Sequence, residues 1–233
     1  LTTPPFVELA KAAPWFDDVT TDRRPSLAPP VALLRLSRAL RGFDRIFDLQ
    51  TSGRSRTYFR LAGRPRNWSG ISDGCCHPHA NPSRNEMHTL TRLEDQLRAA
   101  GLQPIPREVP QWLKGHGPEI SGRSVVLIPG AAPHRPQKRW PVTRFSEIAQ
   151  AVAARGLTPV IVGCAAEKPL AEQILQDCPS ALDLTGQTSL SELAGVLHKA
   201  DLVIGNDTGP IHLAAAMDRP IIALFSQDSD PRL

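Results

Sequence analysis

The stretch SVVLIPG at residues 124–130, followed by AAPHRPQKRWP at 131–141 and TRFSEIAQAVAARG at 143–156, decides the fold. A β-branched apolar run closes on Pro129-Gly130, and the apolar residues from 145 to 154 recur at helical spacing before Gly156 stops them. That is one strand, loop and helix. The unit then repeats: strand 159–162, helix 167–175, short strand 181–184, helix 191–198, strand 202–204, helix 211–217 and strand 221–225. Near-continuous apolar strands alternating with helices require a parallel sheet covered on both faces. The spacing therefore predicts a doubly wound, Rossmann-like domain of at least five strands, whose ligands lie beyond the carboxyl ends of the strands.

Working outward, the first half predicts a helix over 31–40, a strand over 45–49, a helix over 55–62, a strand over 67–71 and an amphipathic helix over 88–101. This half is α/β as well. Between the halves, PIPREVPQWLKGHGPEISG at 104–122 is rich in proline and glycine and poorly periodic, which marks a linker. The expected plan is an incomplete α/β domain at 1–103, a linker at 104–122 and a Rossmann-like domain at 123–233, the two domains facing each other across a cleft.

Of the 233 residues 41% are hydrophobic and 21% charged, which excludes a disordered, collagenous or coiled-coil chain. The excess of basic residues is small, 27 against 23, for a charge of +4 and a pI near 9.1. Its arginines are scattered, so a phosphate-bearing ligand or an anionic membrane surface fits better than nucleic acid. No apolar run is long enough to span a membrane, and LTTPPFVELA is no secretion signal. Four cysteines, Cys75, Cys76, Cys164 and Cys178, without regular spacing point to free thiols in a reducing compartment, with the cytoplasm as the expected location. Leu1 at the start and a stop soon after an apolar strand pattern are expected of a fragment lacking both ends.

Three loops at predicted strand ends suit chemistry. In GNDTGPIHLAAA, 205–216, Asp207 and Thr208 with the first-turn N–H groups form an anion-binding concavity, or else they simply cap a helix that has Pro210 in its first turn. In 129–141, Lys138 offers a point charge and Arg135 or Arg139 a fork for a diphosphate; taken alone, the loop also reads as solvated and basic. In 163–167, Glu167 is placed to accept hydrogen bonds from a ribose diol, or to complement a helix dipole.

Together these loops resemble the donor-binding half of glycosyltransferase family 9, the heptosyltransferase-like enzymes of lipopolysaccharide assembly. The resemblance rests on PGA at 129–131, KRWP at 138–141 followed by Phe145, G-x-x-x-E at 163–167, LTGQTSLSELA at 184–194 and DTGPIHLAAA at 207–216, with a looser match in FDRIFDLQ at 43–50. It implies an α/β fold of GT-B type: the C-terminal domain holds a nucleotide-sugar, ADP-heptose, and the N-terminal domain presents a glycolipid or glycan acceptor of lipopolysaccharide-core type. It implies Lys138 as the phosphate-contacting lysine, Glu167 on the ribose, and Thr188, Ser189 and Leu190 at the wall around the base. Asp207, Thr208, Gly209 and His212 are placed around the diphosphate and sugar. Lys138 and Asp207 are the residues expected at the chemistry. The implied reaction is inverting sugar transfer with no cofactor and no metal, on the cytoplasmic side, with room for peripheral contact with the inner membrane. The family's general base would lie upstream of Leu1, so residues 1–233 alone are expected to be inactive.

Some features point elsewhere. Cys75-Cys76-His77-Pro78-His79, with His88 nearby, invites a zinc reading, but adjacent cysteines make awkward joint ligands, and a surface loop lining the acceptor cleft is expected instead. Asp228-Ser229-Asp230 copies a D-x-D metal motif and reads as a loop, and Asp48 reads as a structural carboxylate or an acceptor contact. A GT-B sugar-nucleotide epimerase and a non-catalytic nucleotide-binding module are the rival readings. Conversion of free nucleotide-sugar without acceptor marks the first, and binding without transfer or hydrolysis marks the second.

Overall fold

The structure, a computed structural model, describes residues 1–23, 30–103, 105–227 and 230. Along the chain run α1 (Val7–Ala12), α2 (Pro30–Ala39), β1 (Ile46–Phe47), α3 (Gly53–Leu61), β2 (Trp68–Gly70), β3 (His77–Pro78) and α4 (Thr89–Ala99). They are followed by β4 (Ser124–Ile128), α5 (Val142–Ala153), β5 (Thr158–Ile161), α6 (Lys168–Asp177), β6 (Leu182–Asp183), α7 (Leu190–Lys199), β7 (Leu202–Asn206), α8 (Gly209–Ala216) and β8 (Ile221–Leu224). One compact unit is built mainly from Leu1–Val7 and Asp17–Arg107, the other from Glu8–Phe16 and Glu108–Pro231.

The second unit carries a five-stranded sheet in the order β6-β5-β4-β7-β8, with every pair parallel. Each residue of β4 is buried, because helices cover both faces. Strand alternation divides its side chains between two cores. Val126 and Ile128 join Val160, Val203, Leu193, Val196 and Leu197 on the α7 and α8 side, and Val125 and Leu127 join Ile161, Phe145, Ala149 and Ile174 on the α5 and α6 side. Chain order reverses between β4 and β7, so the crevice at their carboxyl ends is the topological switch point where such sheets take ligands.

Local chemistry sets the helices. Phe145, Ala149 and Val152, spaced four and three apart, are the buried stripe of α5, which starts directly after Pro141, three residues before the sequence reading placed it. Ser189 and Glu192 close a capping box at the head of α7: Ser189 Oγ accepts from the Glu192 N–H at 3.3 Å, and Glu192 Oε2 accepts from the Ser189 N–H at 2.7 Å. Within 104–122, read as a linker, Gln111–Leu113 form a 3-10 turn. Its Leu113 is buried with Ala194 and Met217, and Leu9 packs on the same cluster.

The first unit has a three-stranded parallel sheet, β1-β2-β3, over a core of Leu36, Leu40, Phe59, Ala62, Trp68 and Cys75. The expectation of a surface loop at residues 75–79 is corrected here. His77 and Pro78 pair with Ser69 and Gly70 as the third strand, while Cys75 and His79 are buried. Backbone pairing holds this segment, since a His-Pro strand carries no apolar alternation to announce it. Among the described residues no helix is long and apolar enough to cross a membrane.

Candidate functional site

Four loops of the second unit meet at the carboxyl edge of its sheet. After β4 the chain turns through Pro136–Lys138, and the Lys138 ammonium donates to Asp207 Oδ2 at 2.7 Å, just after β7. The two side chains are only 14% and 16% exposed, so water screens the pair weakly. Asp207 Oδ1 lies 3.2 Å from His212 Nε2 on the first turn of α8. One carboxylate thus bridges two basic side chains at a helix N-terminus.

Thr208 is the N-cap of α8, but its hydroxyl makes no cap bond and donates to the Asn206 carbonyl at 3.2 Å. Gly209 opens the helix, and the space where a Cβ would stand is clear. Pro210 brings no N–H and the Ile211 N–H is bonded to the Thr208 carbonyl at 3.1 Å, yet the dipole of α8 still places partial positive charge at this end, beside the Lys138 ammonium. An anion of phosphate size fits that chemistry.

Glu167 follows β5 at the end of a 3-10 turn, with Oε2 accepting from the Cys164 N–H at 2.8 Å. Its carboxylate lies against two glycine backbones. A Cβ at Gly130 would overlap it, and one at Gly163 would stand 2.6 Å from Oε2, so a side chain at either place would displace the carboxylate from its seat. The loop after β6 closes the row, with the Gly186 N–H donating to the Gly163 carbonyl at 2.8 Å. From there the chain passes half-buried Thr188 and exposed Ser189 into Leu190. The Ser189 hydroxyl is engaged in the α7 cap. Asp183, in β6 before this loop, is half-buried. Burial alone would raise its pKa, but Lys168 and the Thr185 N–H outweigh that and hold the carboxyl below its ordinary range.

The structure thus brings Lys138, Asp207, Thr208, Gly209 and His212 together, and Glu167 with the 186–190 loop beside them. Of the two expected forks, Arg135 is exposed, whereas Arg139 turns inward and donates through Nη2 to the Ala131 carbonyl at 3.0 Å. Sequence reasoning missed Asn206, which is fully buried and ties the end of β7 to three backbone groups of the loop after β4. Its signal was a polar residue ending an otherwise apolar strand.

The first unit has a polar cavity of about 520 Å³ beyond the carboxyl ends of β2 and β3, lined by Arg56, Ser72, Asp73, His79, Arg84 and Asn85 among others. Burial first, and then the like charges of Arg92 and Arg56, lower the pKa of Arg84, with Asp48 opposing them. Arg84 is fixed by Thr51 Oγ1 at 3.1 Å and lies 3.4 Å from His79 Nδ1, while His79 Nε2 meets Asp95 at 2.8 Å. The hydrogen bonds from His79 and then Asn81 hold the Asp95 carboxyl below its usual range. Asp48 follows β1 with Oδ1 accepting from the Thr51 N–H at 3.0 Å, and its buried Oδ2 has no partner among the described residues. His88 caps α4 by accepting the Leu90 N–H at 3.3 Å. Among the described residues no three His, Cys, Asp or Glu side chains come together as a metal cluster. Asp228 lies outside the described residues.

Two parallel-stranded α/β units, the second doubly wound with its polar loops at the switch point, define an α/β protein of the GT-B class. The chain belongs to glycosyltransferase family 9 (heptosyltransferase), whose model matches residues 82–233. It is 35% identical over 149 residues to lipooligosaccharide heptosyltransferase 2 of Haemophilus influenzae, a match covering 62% of this chain and 37% of that protein. The chain therefore spans well under half the length of this curated relative. Among solved structures, the Escherichia coli ADP-heptose lipopolysaccharide heptosyltransferase II matches with a TM-score of 0.73 at 22% identity, covering 99% of this chain and 77% of the other. The E. coli heptosyltransferase WaaC with ADP matches with a TM-score of 0.77 at 21% identity, over 99% of this chain and 78% of the other.

Proposed function

We propose that the full-length protein is an inverting glycosyltransferase that moves heptose from ADP-heptose to an acceptor of lipopolysaccharide-core type. The observation that carries this reading is the cluster of Lys138, Asp207 and His212 on the N-terminus of α8, at the switch point of a family 9 chain. A relative of known structure holds ADP, which suits the same arrangement. Lys138 and the first turn of α8 take the diphosphate, Glu167 the ribose, and Thr188, Ser189 and Leu190 border the base.

Chemistry follows from charge. As the glycosidic bond breaks, negative charge builds on the diphosphate, and a fixed ammonium beside a helix N-terminus stabilises it without reorganising. In this reading no divalent ion is needed for that step. Asp207 holds the ammonium in place beforehand and, through its other oxygen, orients His212 toward the sugar. In-line attack further requires a base within hydrogen-bond reach of the acceptor hydroxyl. The arginine-lined cavity of the first unit suits an acceptor bearing phosphate or carboxylate groups, with Arg84 as its best-fixed fork. The reaction is placed on the cytoplasmic side, with peripheral contact to the inner membrane through the acceptor.

Calorimetric titration of the full-length protein with ADP tests the donor half of this reading. Saturable binding is expected, and its absence at millimolar ADP would overturn the assignment.

A further inference from the structure

Asn206 ends β7 at the switch point and is fully buried. Its Nδ2 donates to the Pro129 carbonyl at 2.9 Å and to the Gly130 carbonyl at 3.2 Å, and its Oδ1 accepts the Trp140 N–H at 3.0 Å. All three partners are backbone groups of the loop after β4, which has no strand neighbour to satisfy them. A carboxamide is the one small side chain that offers two donors and an acceptor in a plane; aspartate has no donor and leucine neither.

Each end of this bracket leads to a different part of the site. Gly130 is the backbone against which the Glu167 carboxylate rests. Trp140 stands two residues after Lys138, and Asp207, the residue after Asn206, holds the Lys138 ammonium. We propose that Asn206 is a positioning residue that sets the spacing between Lys138 and Glu167, and so registers the diphosphate and ribose parts of one nucleotide. This inference rests on the donor reading given above. It assigns Asn206 no contact with the ligand: the amide acts through Lys138 and Glu167.

The test is an ADP titration of the full-length wild type, Asn206→Ala, Lys138→Ala and the double variant, with thermal unfolding followed in parallel. Asn206→Ala is expected to weaken ADP binding about tenfold or more, as befits lost hydrogen bonds at a buried polar cluster. With Lys138 already alanine, the same change is expected to cost about threefold or less, because half of what it positions is gone. A residue of merely structural importance would give the same penalty in both backgrounds, and that result overturns the proposal. So does wild-type affinity in Asn206→Ala. No ADP binding by the wild type would instead overturn the donor reading itself. Should Asn206→Ala fail to fold, amide hydrogen exchange of the wild type decides. The Trp140 N–H is expected to exchange as slowly as those of β4, and exchange as fast as that of exposed Ala132 and His134 overturns the bracket.

Discussion

Replacing Lys138 by alanine in the full-length protein removes the ammonium from a weakly screened pair, and its effect on ADP affinity is the sum of two losses. A charge-assisted hydrogen bond to a phosphate oxygen contributes about 1.5–3 kcal/mol. The second loss is electrostatic: Asp207, 2.7 Å from the ammonium in the native pair, then meets the diphosphate without Lys138 to offset its charge. At about 5 Å and an effective dielectric near 20, two like charges repel by about 3 kcal/mol, and salt and water entering the vacated space reduce this to about 1. The total is about 2.5–4 kcal/mol, or roughly two to three decades in Kd. If both losses operate, adding Asp207→Asn to Lys138→Ala should recover about one decade, since the repulsive charge is then gone. Isothermal calorimetry at fixed ionic strength reads all three affinities. Lys138→Ala within about threefold of wild type, or a double variant no better than the single one, would refute the reasoning.

Three further expectations follow from other parts of the molecule. Phe145 is wholly buried under α5 and meets Trp140 edge-on at 5.5 Å, so Phe145→Ala should lower the unfolding free energy by about 3–5 kcal/mol in urea, and a loss under about 1 would contradict the packing. Arg84→Gln should raise the acceptor KM about tenfold while leaving ADP affinity unchanged, and an equal effect on both would remove the cavity from acceptor binding. Asp183 has its folded pKa lowered, so its ionised form contributes stability above the unfolded value of about 4, and that contribution disappears as pH falls through the folded value. Urea midpoints from pH 6 down to 3 should therefore fall less for Asp183→Asn than for wild type; parallel curves would contradict the pairing with Lys168.

The second unit was legible because its strands announce themselves. The run from Ser124 to Ile128 is buried on both faces and was bounded to the residue, and the later elements shifted by one to three residues where caps rather than apolar spacing set the ends. The first unit was less legible. Its strands are two or three residues long, too short for any periodicity, and β3 is a His-Pro pair held by backbone bonds. Outside it α1, most of which belongs to the second unit, stands between Pro4-Pro5 and Pro14, which hid it. At the site, the grouping of polar residues within each loop was legible, whereas contacts across the fold were not. The fit of Glu167 onto Gly130 spans 37 positions of sequence, and the bracket from Asn206 to Gly130 spans 76. Neither leaves a local pattern.

The most direct test of the account is a transfer assay with the full-length protein, ADP-heptose and a lipopolysaccharide-core acceptor, run with excess EDTA and with the anomeric configuration of donor and product read by NMR. Heptosyl transfer is expected to persist in EDTA and to invert the anomeric centre, with activity falling sharply in Lys138→Ala. Retention of configuration, transfer that stops in EDTA and returns with Mg²⁺, or conversion of the nucleotide-sugar without any acceptor would contradict it.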